Sequence, residues 1–336
     1  MLRSVLVPVD PERPDQRAIE RAASVLRAGG LVAFPTETVY GLGANALDPA
    51  AIARIYAAKG RPTTNPLIVH VADATAAREL VATWPAAAES LARAFWPGPL
   101  TLVLPKRALV PDAATAGLPA VGVRVPAHAV ALALIRAAGV PIAAPSANRS
   151  TDLSPVSAAH VERSLGDRVD VILDGGPARV GIESTVVDLT GPRPRILRPG
   201  LVSATRIAAI VGPLAEPPRE LATDAPRLAP GHMERHYAPR ARLVLANADD
   251  ASVVALVRAA RARGEIVGLV SLGDLELPAD VAARLPCDPA RCAAGLYATL
   301  HAFDDEGCAL VVFEAPPLDP AWDAVRDRLT RASTPP

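Results

Sequence analysis

Aromatic residues are scarce in this chain, since Phe, Trp and Tyr make up only 3% of its 336 residues. Proteins that bind single-stranded nucleic acid usually stack bases on aromatic side chains, and nucleic-acid-binding domains are usually basic. Here 35 basic residues balance 35 acidic ones, so the formal net charge is zero. The composition therefore argues against a general nucleic-acid-binding protein and favours a local pocket for a small polar ligand.

Cysteine and long apolar runs are also scarce. The cysteines Cys287, Cys292 and Cys308 fit neither a zinc-binding spacing nor a disulfide framework, which favours reduced thiols in a reducing compartment. No apolar run reaches the length of about 18 residues that a membrane helix needs, and the N-terminal apolar stretch soon meets proline and charge. We therefore predict no membrane span and no signal peptide, and we expect a cytoplasmic protein.

The length and the pattern of predicted elements divide the chain into two domains. A single hydrophobic core rarely grows beyond about 250–300 residues. Strands and helices are mixed over 1–212, which predicts an α/β domain. Residues 213–240 are rich in proline and predict an extended linker, which carries His236 and Tyr237. Over 241–336, strands alternate with helices, which predicts a small Rossmann-like parallel sheet without the glycine fingerprint of dinucleotide-binding proteins.

Hydrophobic periodicity also predicts individual elements. An amphipathic helix is expected over 15–28, followed by a buried strand over 31–34. The Thr- and Gly-rich segment 35–45 is expected to be a loop. In the second domain, the pattern predicts a helix over 278–285, between a strand at 266–271 and a further helix.

Six polar clusters in the first domain are candidates for chemistry, and they read PTETVYGLGAN (35–45), KGRP with NPLIVH (59–70), VGVRVP (121–126), PSAN (145–148), GIEST (181–185) and RPG (198–200). Hydroxyls, small residues and paired basic side chains are typical of sites that hold phosphates and small polar ligands. No Walker loop, HExxH or GxSxG motif is present. Catalysis by positioning and charge neutralisation is therefore indicated.

Each cluster also has an ordinary structural interpretation, which the residues alone leave open. Lys59 fits a solvated helix C-terminus, and His70 fits a buried core histidine. Arg124 interrupts an apolar strand and needs an anion, which is either a structural carboxylate or a substrate. Ser154 fits a helix N-cap, and Ser184 fits a surface polar residue, as does Arg198.

Taken together and in this order, the motifs resemble those of the YrdC-like family, the threonylcarbamoyl-adenylate synthases, in its long two-domain form. The resemblance covers nearly the whole chain. It implies a twisted mixed α/β sheet with a concave, positively lined cavity, followed by a smaller Rossmann-like domain. It also implies that ATP, L-threonine and bicarbonate or CO2 react to give threonylcarbamoyl-AMP and pyrophosphate, and that the product passes to the machinery that modifies tRNA. Direct binding of tRNA is left open.

The resemblance further implies roles for individual residues, with Lys59 and Arg61 as the catalytic pair. L-Threonine is expected to be held by Thr38, His70, Arg124, the Ala144 backbone and Ser184. ATP is expected to be held by Lys59, Arg61, Asn65, Ser146, Asn148, Ser154, Arg198 and Tyr237. Mg²⁺ is expected on the phosphates, with no protein side chain assigned to it. The linker, with Tyr237 and His236, is expected to close over the nucleotide.

Two departures from the family pattern concern nucleotide contacts. Similar proteins commonly have methionine where His232 stands, so linker contacts before His236 are not carried over. Ala120 replaces a hydroxyl residue found in some relatives, so an ATP contact there must use the backbone.

Other functions are weighed against this one. A carbamoyl transferase of the hydrogenase-maturation type contains a related domain, but such chains add zinc-binding and acylphosphatase-like regions that are absent from this sequence. An RNA-binding module is disfavoured by the zero net charge and the few aromatic residues. A docking role for the second domain is compatible with the synthase prediction, and the sequence does not decide it.

Overall fold

The computed structural model describes residues 4–216, 237–247, 250–273 and 275–334. Within these ranges the chain forms two compact units. The first comprises 4–150, 155–179 and 183–216, and the second comprises 151–154, 180–182 and the described residues from 237 onward. His232 and His236 of the predicted linker lie outside the described residues. The described part of the chain has no helix long and apolar enough to cross a membrane.

The first unit contains ten strands and eight α-helices among its described residues. The strands are β1 (Val5–Pro8), β2 (Val32–Phe34), β3 (Gly41–Asn45), β4 (Ile68–His70), β5 (Leu100–Pro105), β6 (Ala120–Arg124), β7 (Ile142–Ala143), β8 (Val171–Asp174), β9 (Thr185–Asp188) and β10 (Arg195–Arg198). The helices are α1 (Gln16–Arg27), α2 (Pro49–Lys59), α3 (Ala74–Leu80), α4 (Ala86–Phe95), α5 (Asp112–Thr115), α6 (Ala129–Ala138), α7 (Ala158–Leu165) and α8 (Ala204–Val211).

The ten strands form one mixed sheet in the order β1-β8-β2-β3-β7-β4-β6-β5-β9-β10. Parallel pairs join β4 to β6 and β5 to β9, whereas β5 and β6 run antiparallel. The predicted mixed α/β sheet is therefore confirmed. Several neighbouring strands, such as β3 and β7 or β5 and β9, come from distant parts of the chain, so motifs that are far apart in the sequence are brought together.

The two faces of this sheet have different cores. Side chains alternate between faces along a strand, and one face carries a large cluster that includes Val69, Leu102 and Val123. The other face carries a cluster packed with α1 and α6. The same face holds a separate small cluster contributed entirely by strands, namely Ile68, Val103, Ala120, Val186 and Leu197. His70, Arg124 and Thr101 share the face of this small cluster, because each lies an even number of residues from one of its members on the same strand.

The predicted loop over 35–45 is wrong in its second half, because Gly41–Asn45 is strand β3. It pairs antiparallel with β2 on one side and with β7 on the other. A Cβ atom at Gly43 would lie 2.8 Å from side-chain atoms of both Ile142 and Phe34, so only glycine fits between them. The glycines that made the segment look like a loop are required by close strand packing.

Helix α2 ends at Lys59 because of the residues that cap it. Asp48 caps its first turn by accepting from the N–H of Ala50, and Pro49 occupies the first position. Gly60 then adopts a left-handed conformation, with φ +60°, which reverses the chain. Lys59 is therefore the last helical residue, and Arg61 begins the following loop.

The second unit contains a four-stranded sheet within its described residues. Its strands are β11 (Arg242–Ala246), β12 (Val267–Ser271), β13 (Val281–Arg284) and β14 (Leu310–Glu314), and its helices are α9 (Ala251–Ala262), α10 (Pro289–Asp305) and α11 (Asp323–Ala332). The order is β11-β14-β12-β13, and all three pairings are parallel. The predicted parallel sheet is confirmed.

The helix predicted over 278–285 is wrong, because 281–284 form strand β13. Residues Val281 to Arg284 pair with Gly268 to Ser271 of β12. Alanine and arginine favour helices in isolation, but pairing with a neighbouring strand overrides this weak local preference.

Candidate active site

The loop between β2 and β3 is fixed by its own hydroxyl groups. The Thr36 Oγ1 donates to the carbonyl of Val39 at 2.6 Å and lies 2.8 Å from the Thr38 Oγ1. The backbone N–H of Thr38 donates to the Thr36 Oγ1 at 3.2 Å. Both threonines are buried. These bonds hold the Thr38 side chain in one position within the protein.

Arg124 lies at the end of β6 and is almost completely buried, at 4% exposure. Its Nη2 donates to the Thr38 Oγ1 at 3.0 Å, and its Nε donates to the carbonyl of Gly98 at 3.2 Å. The same Nη2 lies 2.8 Å from the Glu37 carboxylate. The structure therefore supplies a protein anion for Arg124, and Glu37 is a residue that sequence reasoning missed. Its one signal was an acidic residue placed between two threonines of the PTET motif.

His70 sits beside Arg124, because the parallel register of β4 and β6 pairs these two residues. Burial, followed by the positive charge of Arg124, lowers the pKa of His70 to about 3. His70 is therefore neutral near pH 7. Its Nδ1 has no hydrogen-bond partner among the described residues. On the same part of the sheet, the N–H of Ala144 donates to the carbonyl of Ile68 at 2.9 Å.

Ser184 and Arg198 form a second buried group next to Arg124. The antiparallel register of β5 and β6 places Thr101 opposite Arg124, and the Thr101 and Ser184 hydroxyls lie 2.8 Å apart. Arg198 donates to Ser184 twice, from Nε to its carbonyl at 3.1 Å and from Nη2 to its Oγ at 3.2 Å. A shared hydrogen-bond network thus links the GIEST and RPG motifs.

Gly200 of the RPG motif is required by a close backbone approach. A Cβ atom there would lie 2.4 Å from the backbone N of Thr185 and 2.9 Å from the carbonyl of Glu183. No side chain fits at that distance. Gly200 therefore lets the chain pass directly over the residues that flank Ser184.

Lys59 joins the KGRP and PSAN motifs. Its Nζ donates to the carbonyl oxygens of Ser146 and Asn148, each at 2.5 Å, and Lys59 is 3% exposed. The N–H of Ser150 returns a hydrogen bond to the Lys59 carbonyl at 2.8 Å. An isolated bridge between Gly41 and Ser146 ties the same loop to β3. The lysine ammonium thus braces the loop that carries Ser146 and Asn148.

Arg61 braces the loop that follows it. Its Nε donates to the carbonyl of Asn65 at 3.1 Å, and its Nη2 donates to the carbonyl of Pro66 at 3.0 Å. The Tyr56 hydroxyl donates to the same Asn65 carbonyl at 3.1 Å. Arg61 is 7% exposed. Asn65 is therefore placed through its backbone, and its side chain takes no part in these bonds.

A mainly apolar recess adjoins these polar groups on the same face of the sheet, lined by Pro66, Leu67, Ile68, Thr101, Val103, Thr115, Ala120, Gly122 and Val186. At Gly122, an added Cβ would lie 3.2 Å from the Thr101 Cγ2. The absence of a side chain at this position helps to keep the recess open. Its lining is uncharged and combines apolar side chains with the hydroxyl groups of Thr101 and Thr115.

Ser154 and Tyr237 belong to the second compact unit, so they are not among the side chains that the first unit brings together. The carbonyl of Ser154 lies 3.1 Å from the His301 Nε2. Tyr237 is 1% exposed and has a positive φ of 62°. Its ring centroid lies 6.1 Å from that of Tyr297, and the Arg328 Cζ lies 5.2 Å from the same ring.

Two family models match the chain in succession. The Sua5/YciO/YrdC model, described as telomere recombination, matches residues 24–200, and the model described as the C-terminal domain of threonylcarbamoyl-AMP synthase matches residues 202–334. The chain belongs to the Sua5/YciO/YrdC family, in the form that carries this C-terminal domain. The resemblance drawn from the motifs is confirmed.

Similarity to individual proteins extends over almost the full length. The chain is 42% identical over 327 residues to the threonylcarbamoyl-AMP synthase of Pyrococcus abyssi, which is 96% of each chain. It is 40% identical to that of Bacillus subtilis, over 94% of this chain and 92% of the relative. The crystal structure of P. abyssi Sua5 complexed with L-threonine matches with a TM-score of 0.91 and 42% identity, over 98% of both chains. The fold prediction is confirmed for both sheets.

Proposed function

We infer that the chain is a nucleotidyltransferase that makes threonylcarbamoyl-AMP and pyrophosphate from L-threonine, ATP and bicarbonate or CO2. The observation that carries this conclusion is the near-full-length similarity to threonylcarbamoyl-AMP synthases, one of which has been crystallised with L-threonine. The geometry of the first unit provides matching chemistry, because buried arginines are hydrogen-bonded to buried hydroxyl groups.

The amino acid is assigned to the group around Arg124. The guanidinium offers a positive charge for the substrate carboxylate, and the Thr38 and Ser184 hydroxyls offer directional hydrogen bonds. His70 is neutral and presents Nδ1 without a protein partner among the described residues. The predicted threonine-binding set, with the Ala144 backbone beside it, thus remains our assignment.

ATP is assigned to the loops that Lys59 and Arg61 brace, together with Arg198. Three cationic side chains near one sheet face offset the charge of a triphosphate. We assign the purine ring to the side of the sheet that carries Ala120 and Gly122, where a small recess has an uncharged lining. Lys59 and Arg61 bond to the backbone carbonyls of Ser146, Asn148 and Asn65. Ser154 and Tyr237 belong to the second unit, and their roles stay predictions from the family resemblance.

The reaction then needs two bond-forming steps. The neutral amine of threonine attacks CO2 to form a carbamate, and a carbamate oxygen attacks the α-phosphorus of ATP while pyrophosphate leaves. The basic side chains stabilise the charge on the phosphates as it shifts towards the leaving group. Carbamates lose CO2 readily when they are protonated in bulk water, so a site that limits exchange with bulk water protects the intermediate.

Mg²⁺ is proposed as the cofactor that accompanies ATP. The Ser146 hydroxyl and the Asn148 amide provide oxygen donors of the kind that Mg²⁺ accepts in the region assigned to the phosphates. The described residues contain no cluster of three or more His, Cys, Asp or Glu side chains suited to a metal, so the triphosphate itself would supply most of the ligands. The ion would neutralise phosphate charge when bound. We also propose that the product passes to the tRNA threonylcarbamoyl transferase machinery.

The substrate assignment is tested by measuring pyrophosphate release from ATP with each amino acid in turn, with and without bicarbonate. Release should depend on both L-threonine and bicarbonate. Release with carbamoyl phosphate in place of threonine would instead indicate a carbamoyl transferase. Gly122→Val, which fills the recess, should raise the KM for ATP and leave threonine binding unchanged, and a normal KM would refute the purine assignment.

A further inference from the structure

Glu37 is a buried carboxylate whose oxygens lack hydrogen bonds. It is 3% exposed, and neither Oε1 nor Oε2 has a hydrogen-bond partner among the described residues. The Arg124 Nη2 lies 2.8 Å from the Glu37 Oε1, so the two side chains form an ion pair. The hydrogen bonds of this guanidinium, however, go to the Thr38 hydroxyl and the Gly98 carbonyl. Buried polar atoms without partners are rare and costly. Donors for this carboxylate must come from outside the described protein groups.

If L-threonine binds beside Arg124, its ammonium group also needs a partner in the site. An amino acid is a zwitterion, so its site requires a positive group for the carboxylate and acceptors for the ammonium. Arg124 supplies the positive group, and the remaining assigned side chains are neutral, including His70. Glu37 contacts Arg124 from the loop before β3 and carries the missing negative charge. The His70 Nδ1 is a second buried polar atom without a partner among the described residues, and it lies on the strand residue paired with Arg124.

We propose that Glu37 binds the α-ammonium group of L-threonine and takes one of its protons, which creates the amine that reacts with CO2. This inference rests on the proposed function. In the step, one N–H bond of the ammonium breaks, its electron pair stays on nitrogen, and the proton forms an O–H bond with the Glu37 carboxylate. The lone pair then forms the C–N bond to CO2, a C=O π pair moves to oxygen, and nitrogen loses its second proton to water.

A simpler role would be that Glu37 only offsets the charge of Arg124. The two roles differ in what they predict for ligands without an ammonium group. The two roles also predict a different pH dependence of activity. This difference can be assigned to Glu37 and the substrate ammonium, because the histidines near Glu37 do not change charge near neutral pH. The pKa of His70 is about 3. Burial lowers the pKa of His128, although the charge of Glu37 acts in the opposite sense. The charged groups that act on these two histidines are the guanidinium groups of Arg124 and Arg179 and the Glu37 carboxylate.

The first test is ligand discrimination by the full-length protein. Calorimetry would compare L-threonine with 2,3-dihydroxybutanoate, in which a hydroxyl replaces the ammonium. Wild type should prefer threonine by about tenfold or more, since a charged hydrogen bond contributes about 1.5–3 kcal/mol. Glu37→Gln should lose this preference, whereas Glu37→Asp, which keeps the charge, should retain part of it. Glu79→Gln, at an exposed glutamate of α3, is the matched control and should behave as wild type.

The second test is the pH dependence of kcat/KM for threonine in the same variants. Without this base, Glu37→Gln can use only the small fraction of L-threonine whose amine is already neutral in solution. Its kcat/KM should therefore rise by about tenfold per pH unit between about pH 7 and pH 9. The kcat/KM of the wild type should rise less. Unchanged discrimination in Glu37→Gln, or parallel pH profiles, would overturn the inference. A wild-type protein that does not use threonine would instead refute the proposed function itself.

Discussion

Replacing Lys59 with methionine should destabilise the first unit strongly, because two backbone carbonyls would lose their shared donor. The Lys59 Nζ lies 2.5 Å from the carbonyl oxygens of Ser146 and Asn148, and the side chain is 3% exposed. A hydrogen bond to a charged group contributes about 1.5–3 kcal/mol. Methionine keeps most of the apolar stem, so the loss reflects the ammonium. We expect the free energy of unfolding to fall by about 3 kcal/mol or more.

Lys106 provides a matched control, since it is the only other lysine in the sequence. Its Nζ donates to the carbonyl of Val110 at 2.9 Å and to Asp112 at 2.5 Å, but the Asp112 side chain is 82% exposed. Exposed ion pairs contribute about 0–1 kcal/mol. Lys106→Met should therefore cost about 1 kcal/mol, clearly less than Lys59→Met.

Urea unfolding followed by tryptophan fluorescence would measure the difference. Trp84 and Trp96 lie in the first unit and Trp322 in the second, so a Trp322→Phe background makes the signal specific to the first unit. Pyrophosphate release would be measured in parallel. If Lys59→Met unfolded at the wild-type urea concentration while losing activity, Lys59 would act on substrate alone, and the bracing role would be refuted.

Three further predictions concern other parts of the site. Arg61→Ala should raise the KM for ATP by about tenfold or more in the pyrophosphate assay, and near-normal kinetics would contradict its assignment. The contribution of His70 to stability should be complete above pH 6.5, its ordinary pKa, and should fall as pH drops towards 3. His70→Gln should therefore flatten the dependence of unfolding free energy on pH in that window by about 1.4 kcal/mol per unit, and an unchanged slope would argue against a buried neutral histidine. Gly200→Ala should lower the free energy of unfolding by about 1–3 kcal/mol because its Cβ would lie 2.4 Å from the Thr185 nitrogen. Gly191→Ala, whose nearest atom would be 3.9 Å away, should cost much less, and equal effects would argue against the clash.

Strands with long apolar runs between proline or glycine could be predicted closely from the sequence. The strand predicted over 31–34 is β2 (Val32–Phe34), and the strand predicted over 266–271 is β12 (Val267–Ser271). Elements whose secondary structure depends on pairing with a neighbouring strand could not be predicted from the sequence. Gly41–Asn45 becomes a strand because β2 and β7 flank it, and 281–284 become a strand because β12 pairs with it.

The candidate site shows the same division between local and long-range information. Polar residues in short motifs, such as Thr38 and Arg124, could be selected from the sequence. The hydrogen-bond partners of such residues could not be predicted. Lys59, for example, donates to backbone carbonyls, which no residue pattern reveals. Glu37 meets Arg124 only because the β2–β3 loop lies beside the end of β6. The sequence therefore indicated which residues carry chemistry, and the fold determined which of them act together.

We propose that the chain joins L-threonine, through a carboxyl group derived from bicarbonate, to the α-phosphate of ATP. Mass spectrometry of the product formed from ATP, L-threonine and ¹³C-labelled bicarbonate tests this reaction. We expect threonylcarbamoyl-AMP that carries the label, released together with pyrophosphate. Pyrophosphate formed without a labelled threonine adduct, or an adduct formed equally with other amino acids, would contradict it.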